Sequence, residues 1–337
     1  MVVNKHPLVS ICVRCYNAEK YIERCALSVF NQTYDNCEFI FVDDCSTDNT
    51  IIKIEQLSET VSNVRNKLKI VRRLENGGQA SAFNTVLDTI KGDFFILVDS
   101  DDYISTNAVE KLIEKQIEDD YDIIIFDMKE IFKSYSYVRP IPEIKNSKHF
   151  SMLLLSRKIR WCICGELIRT SLITENQIRC LEGVNMAEDY TITTRTSYFA
   201  KRIGILRKVL YFYDNTNDNA ITSKFNPDLL HQDDKSLIFV KEFYADKGDD
   251  YLSAWLTGWS YDLVRSIIIL EKSAGGHNDF YKERCKLLDD LPNSECIDAL
   301  SIPYRMVYYM RHYRCLLSFY IKITVKIKHL KEKISKH

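Results

Sequence analysis

Five apolar residues, Phe94-Phe95-Ile96-Leu97-Val98, run straight into Asp99-Ser100-Asp101-Asp102. A short apolar run closed so abruptly reads as a strand buried on both faces, as in a parallel sheet. Open α/β sheets bind ligands beyond the carboxyl ends of their strands, which is where these acids fall. In an extended chain Asp99 and Asp101 point the same way and converge on one place. Two such oxygen ligands suit Mg²⁺ or Mn²⁺, ions commonly shared with substrate phosphates. A solvated acidic turn is the alternative that this run alone leaves open.

The rest of the first hundred residues supports the sheet. Leu8 to Cys15, Glu38 to Val42 and Leu68 to Val71 read as strands. Glu19 to Phe30, Asp48 to Val61 and Gln79 to Ile90 read as helices, the second opened by Ser46-Thr47-Asp48 as caps. Strands alternating with helices predict a parallel sheet with helices on both faces. A further helix from Asn107 to Asp119 and a strand from Asp122 to Phe126 follow. Beyond Asn226-Pro227 the pattern is helical and rich in aromatics. These shifts place an α/β domain at 1–225, in halves 7–105 and 106–225, and a helical region at 226–337.

The formal net charge of −1 argues against a general nucleic-acid binder. Eleven cysteines are scattered along the chain, and Met1 to His6 shows no apolar signal core, which fits a reducing cytosol. Cys12 and Cys15 form a C-x-x-C, but lie on an expected strand where they face opposite sides, so they read as structural thiols. No apolar run is long enough to predict a spanning helix. From Arg305 to His337 nine Lys or Arg face a single acid, Glu332, with Leu316, Leu317, Phe319, Tyr320, Ile323, Ile327 and Leu330 at roughly helical spacing. A basic amphipathic helix of this kind can lie on an anionic membrane surface; the alternative is a helix packed by one face on its own domain.

The second expected strand also ends in acids, Val42-Asp43-Asp44-Cys45-Ser46-Thr47-Asp48. Parallel neighbours ending this way gather four or five carboxylates at one crevice, which is costly unless cations or donors meet them. With that pair in view, the chain resembles glycosyltransferase family 2, inverting enzymes of the GT-A fold. The resemblance rests on Val9 to Glu19, Ser28 to Tyr34, Phe41 to Asp48, Glu75-Asn76-Gly77-Gly78-Gln79 and Gly92 to Asp102, in order. A looser similarity runs through Ala187-Glu188-Asp189, Tyr211-Phe212-Tyr213 and Ile221-Thr222-Ser223.

The resemblance implies a nucleotide diphosphate sugar donor, usually UDP-linked, bound through Cys15, Tyr16, Asn17, Glu19, Asp43, Asp44, Asn76, Gly78, Gln79, Asp99 and Ser100. A carboxylate can accept the uracil N3 hydrogen, with Asp44 preferred over Asp43. Asp99 and Asp101 map to the DxD motif, with Asp102 as an auxiliary ligand or water partner of a Mn²⁺ or Mg²⁺ ion. That ion would stabilise the leaving diphosphate. The glycines of Glu75 to Gln79 permit close backbone approach, and the helix start favours anions.

Two departures from the family stand out. Phe83 precedes Asn84 where the family commonly has Arg; its contact is either lost or taken over by Arg72 or Arg73. Cys45 stands where Gly is usual, so the turn there must avoid positive φ or bear strain.

Inversion by single displacement needs a carboxylate base, and Asp189 is the candidate, with Glu188 orienting the acceptor or substituting for it. Trp161 and Gly165 map to the acceptor pocket, where an indole can stack on a sugar. Asn219 to Lys224 resembles the family's closing segment, with Lys224 as a counter-charge to the diphosphate.

Together these features predict a metal-dependent hexosyl or N-acetylhexosaminyl transferase on the inner face of a bacterial plasma membrane, acting on a lipid-linked glycan of capsule, O-antigen or exopolysaccharide synthesis. A non-catalytic sugar-nucleotide or glycan-binding protein is the rival. A nucleotidyltransferase would need a Gly-rich basic loop after the first strand, where Arg14 to Glu19 has none, and a nicotinamide dehydrogenase would need G-x-G-x-x-G there.

Overall fold

The computed structural model describes residues 6–62, 64–217, 227–272, 278–292 and 295–334. The strands and helices of the first hundred residues alternate as expected. They are β1 (Val9–Cys15), α1 (Ile22–Phe30), β2 (Cys37–Asp43), α2 (Thr50–Thr60), β3 (Leu68–Arg72), α3 (Gly78–Thr89) and β4 (Phe94–Asp99). There follow β5 (Tyr103–Ile104), α4 (Ala108–Asp119), β6 (Ile123–Ile131), β7 (Ser136–Val138) and α5 (Ser147–Leu155). A 3₁₀ turn at Ile163–Gly165 leads into β8 (Glu166–Arg169), then α6 (Thr170–Thr174), α7 (Glu188–Phe199) and β9 (Ile203–Asp214). The helices α8 (Pro227–Tyr244), α9 (Asp249–Lys272), α10 (Asn278–Asp289), α11 (Glu295–Asp298), α12 (Ile302–Met310) and α13 (Arg314–Ile334) complete the described chain.

One sheet runs β3-β2-β1-β4-β8-β6-β9-β5, with β7 on β6. From β3 to β4 every pairing is parallel. β8 runs antiparallel to both β4 and β6, and β6 and β9 pair in parallel with register shifts around Asp127. The two expected halves, 7–105 and 106–225, therefore share a single sheet. The all-buried runs of β1 and of Phe94 to Val98 explain its centre: strands covered on both faces carry no alternation. α1 shows the opposite pattern, burying Ile22, Cys25, Ala26, Val29 and Phe30 as a stripe at helical spacing.

The chain divides into two compact units, 1–154 with 159–243, and 155–158 with 244–337. α8 belongs to the first unit up to Phe243, so the division falls later than the composition change near 225. The second unit is helical throughout its described residues. Within it, Leu317 and Ile321 of α13 are buried while Leu316, Phe319 and Ile323 are exposed. No described helix is long and apolar enough to cross a membrane. The expected closing segment, Asn219 to Lys224, and the side chains of the tail beyond Thr324 lie outside the described residues.

Candidate active site

The carboxyl edges of β1 and β2 lie side by side, with Cys15 opposite Asp43. The loops beyond them are laced together. Asn17, at φ 48°, accepts the Thr47 N–H at 2.8 Å through Oδ1, and its own N–H donates to Ser46 Oγ at 2.9 Å. Glu19 accepts the Asn49 side-chain amide at 3.0 Å, and its N–H donates to Asp48 Oδ2 at 3.0 Å. Cys45 takes φ 68°. The turn therefore bears the strain expected of a side chain in that conformation, about 1–2 kcal/mol. Tyr16 is left exposed at the rim. Cys12 and Cys15 are buried free thiols whose hydrogens go to the carbonyls of Ser10 and Val42.

Asp44 ties β2 to the start of α3. Its Oδ1 accepts the Gly77 N–H at 3.0 Å and Arg73 Nε at 2.7 Å, and its Oδ2 accepts the Gly78 N–H at 2.7 Å. A carboxylate at a helix start is favoured by the orphan N–H groups and the dipole. Asn185 Oδ1 takes the next donor, the Ala80 N–H, at 3.2 Å. These helix-start donors, expected to face a ligand anion, are thus engaged by the protein itself. Gly78 has φ 77°, and a Cβ there would run into the Asn185 side chain. Asp43 is also buried and accepts the Ser46 N–H. Asn76 and Gln79 flank this knot, Asn76 fully on its exposed side.

The acidic strand end does not stay extended. β4 stops at Asp99, and the Asp102 N–H donates to the Asp99 carbonyl at 2.9 Å, closing a turn through Ser100. The expected same-side alignment of Asp99 and Asp101 therefore does not apply. Asp99 Oδ1 accepts Arg14 Nη2 at 3.1 Å, and Asp101 Oδ2 accepts the Asn217 amide at 2.9 Å. Asp102, expected as an auxiliary metal ligand, is 1% exposed. Its oxygens accept the Tyr211 hydroxyl at 2.7 Å and the Asp214 N–H at 2.7 Å, so the structure uses it to bolt the turn to β9. Burial and then Asp99 push Asp101 above the usual carboxylate range, and the same causes, with Asp101 added, hold Asp102 well above it.

Arg14, to which the sequence motifs assign no role, is the centre of the site. Its Nη1 lies 3.2 Å from Glu188, and its Nη2 lies 3.1 Å from Asp99 and 3.8 Å from Asp189. Its side chain is 4% exposed. Burial opposes its charge, but Asp99, Asp189 and Glu188 outweigh that and raise its pKa. A lone charge inside the apolar strand Val9 to Cys15 was the available signal, since an Arg is almost never buried unless paired. The arginine missing at Phe83 is thus neither Arg72, which pairs with Glu55 at 2.8 Å, nor Arg73, which serves Asp44.

Glu188 and Asp189 open α7 behind Ala187, which sits at φ 55°. Burial raises both, with Glu188 the next cause for Asp189 and the Arg14 guanidinium opposing. Asp189 Oδ1 is buried without a hydrogen-bond partner. Cys162 and Cys164 stand beside it. The Cys162 thiol is pulled down by its hydrogen bond with Cys164 and by Arg160, whereas that same bond, with burial, pushes Cys164 up.

Trp161 meets Tyr190 edge-on, ring centroids 6.2 Å apart, and its carbonyl accepts Thr193 Oγ1 at 3.3 Å. Gly165 packs so closely on Met128 that an added Cβ would lie 2.8 Å from its sulfur. Gly165 also lines a cleft together with Ile141, Arg160, Cys162 and Glu166. Glu166 is 2% exposed with Oε2 unpartnered, and burial raises it well above the carboxylate range.

The donor set suits a hard divalent cation. Asp99, Asp101 and Asp102 lie within one turn, and Asp101 and Asp102 are raised by burial and then by the charge of Asp99. A cation held by Asp99 and Asp101 would relieve that repulsion.

Residues 10–170 match the family model described as Glycosyl transferase family 2. Poly(ribitol-phosphate) beta-N-acetylglucosaminyltransferase TarS of Staphylococcus aureus is 33% identical over 211 residues, 60% of this chain and 35% of the relative. The chain thus spans about a third of that protein's length. The crystal structure of S. aureus TarS 1-349 in complex with UDP-GlcNAc superposes with a TM-score of 0.70 at 19% identity, covering 95% of this chain and 92% of that one. Mannosyltransferase PcManGT of Pyrobaculum calidifontis, in complex with GDP-Man and Mn²⁺, gives a TM-score of 0.55 at 18% identity over 93% of this chain and 86% of that one. The fold is that of the GT-A glycosyltransferases.

Proposed function

From a chain whose residues 10–170 match glycosyl transferase family 2, we propose that it moves a hexose or N-acetylhexosamine from a nucleotide diphosphate donor to a glycan hydroxyl, with inversion, in the synthesis of a bacterial cell-surface polymer. The observation that carries the proposal is the meeting of Asp99, Glu188 and Asp189 on one guanidinium at the carboxyl edge of the sheet. Donor-side and base-side acids, far apart in sequence, share one place.

In this proposal the loops holding Cys15, Tyr16, Asn17, Glu19, Asp43 and Asp44 form the nucleoside cradle, and exposed Tyr16 stacks on the base. UDP is the favoured carrier, because the S. aureus TarS structure with UDP-GlcNAc has the same fold. Asp99 and Asp101 would hold a divalent cation, whose chemistry is to offset charge on the diphosphate. Asp189 removes the acceptor hydroxyl proton. Its raised pKa brings it closer to the working pH of a general base, and its Oδ1, 3.8 Å from Arg14, accepts no hydrogen bond that would compete for that proton. Glu188 stays on Arg14 and orients the pair. The acceptor enters past Trp161 and Gly165.

The tail is proposed to hold the enzyme at the cytoplasmic face of the membrane, near a lipid-linked acceptor. Exposed Leu316, Phe319 and Ile323 recur at helical spacing beside the basic residues of α13, which suits an anionic interface.

Incubation with UDP- and GDP-sugars, Mn²⁺ and polyol-phosphate or glycan acceptors tests the reading. The expected outcome is nucleotide release coupled to an anomerically inverted product. A non-catalytic sugar-nucleotide-binding protein is the second reading, favoured by Arg14, which already neutralises the acids that catalysis would use. Binding of donor without turnover on any acceptor would establish that reading and end the first.

A further inference from the structure

Cys162, Cys164 and Asp189 bring two sulfurs and a carboxylate oxygen within 4.8 Å of one another. The thiols flank Ile163 on the segment leading into β8, and Asp189 opens α7. Asp99 adds a fourth group, its Oδ2 accepting the Cys164 thiol at 3.3 Å. Both cysteines are free, and Asp189, 9% exposed, keeps an Oδ1 that accepts no hydrogen bond. Among the described residues this is the group of soft and hard donors placed to share an ion.

We propose that Cys162, Cys164 and Asp189, completed by Asp99, form a binding site for a thiophilic divalent cation of the zinc or cadmium class. Tetrahedral zinc takes sulfur at about 2.3 Å and carboxylate oxygen at about 2.0–2.2 Å, so ligand atoms of a filled site lie roughly 3.3–3.8 Å apart. The present cluster, within 4.8 Å, is about 1 Å wider than that and closes on the ion when it binds. Two thiolates select soft ions, whereas Asp99 and Asp101 offer only oxygen and suit manganese or magnesium. Binding is an exchange without redox change: each thiol releases its proton to solvent as a sulfur–metal bond forms, and Asp189 and Asp99 bind as carboxylates. The charge of Arg14 beside Asp189 and Asp99 opposes the ion, so the site suits reversible occupancy.

The consequence for activity rests on Asp189 being the base. An ion on its carboxylate takes the lone pair that would accept the acceptor's proton, so zinc inhibits transfer.

The full chain, reduced and freed of metal with a chelator, is titrated with Cd²⁺ while thiolate-to-cadmium charge-transfer absorbance is followed in the ultraviolet. The expected result is a saturable band at one equivalent. C162S, at the partly exposed cysteine, should weaken it about tenfold or more, as loss of a ligand does. C164S should do the same, with melting curves checking that the buried substitution folds; C162S carries the decision if it does not. Replacement of exposed Cys315 by Ser should leave the band unchanged. Absence of the band, or its persistence in C162S, overturns the site and leaves the transferase reading standing. A normal band with no sugar transfer under any condition overturns the transferase reading and leaves the site.

Discussion

The guanidinium of Arg14 lies 5.4 Å from the centroid of the Phe83 ring. Family 2 enzymes commonly carry an arginine on the helix at the position of Phe83. Here the strand supplies the charge and the helix supplies an aromatic face for it. The ring thus backs the guanidinium whose charge is paired to Asp99, Glu188 and Asp189.

Arg14→Ala should therefore leave buried Asp189 and half-buried Asp99 and Glu188 without their cation and cost about 3–5 kcal/mol of stability. Arg14→Ala combined with Phe83→Arg should recover much of that loss, since position 83 faces the place the Arg14 guanidinium occupies. Denaturant midpoints of the two variants decide the matter. A double variant no more stable than Arg14→Ala would show that the exchange does not preserve the ion-pair cluster.

Asp189→Asn should keep donor affinity and lower transfer by about 10²–10⁴, the usual worth of a general base. Burial and Glu188 raise Asp189 above an ordinary aspartate near about 3.9. Activity should thus fall on acidification at a higher pH than a normal carboxylate gives. The sign for stability is opposite. A folded pKa above the unfolded one contributes stability fully below the unfolded value and loses it as pH rises through the folded value. Asp189→Asn should accordingly flatten that loss, and urea titrations at several pH values measure it.

Asp101→Asn should abolish a manganese-dependent thermal shift with a UDP-sugar. A ligand at 100 times its dissociation constant stabilises by about 2.7 kcal/mol, which a melting curve resolves. An undiminished shift in the variant would remove Asp101 from the metal site.

Tyr211→Phe removes one hydroxyl that donates to Asp102 at 2.7 Å and accepts the Asp99 N–H at 3.0 Å. Asp102 is 1% exposed, so the loss should cost about 1–3 kcal/mol. Chemical unfolding reads it, and Mn²⁺ affinity should fall with it as the turn loosens.

Leu316→Glu with Phe319→Glu should abolish co-sedimentation with vesicles rich in anionic lipid, while catalysis on a soluble acceptor persists. Added salt should weaken binding of the parent protein, because screening shortens the reach of the basic residues. Salt-insensitive binding would exclude an electrostatic contribution.

The fold was legible because its signals are local. Buried runs, helical stripes and acids at strand ends each lie within a dozen residues, and the β1 to β4 order followed from them. The site was legible only in its parts. Arg14 reaches partners 85 and 174 residues away, and no periodicity reports such a distance. Asp102 sits in the right motif, but its partners come from a strand more than a hundred residues later, and motif position alone cannot reveal that its oxygens are spent. Cys162 and Cys164 were visible as residues but not as neighbours of Asp189, since that proximity is made by the start of α7.

The bolt between Asp102 and β9 also sets an order of events during synthesis. β1, β2 and β3 pair between sequence neighbours, and β4 joins β1 once α3 has been made, all before β9 is synthesised. Asp102 must then wait 109 residues for the Tyr211 hydroxyl and 112 for the Asp214 N–H. Until that strand arrives the acid is kept in water, where it is charged and at no cost. Burying it is a late step, so the nascent sheet stays open at its carboxyl edge until β9 has been made.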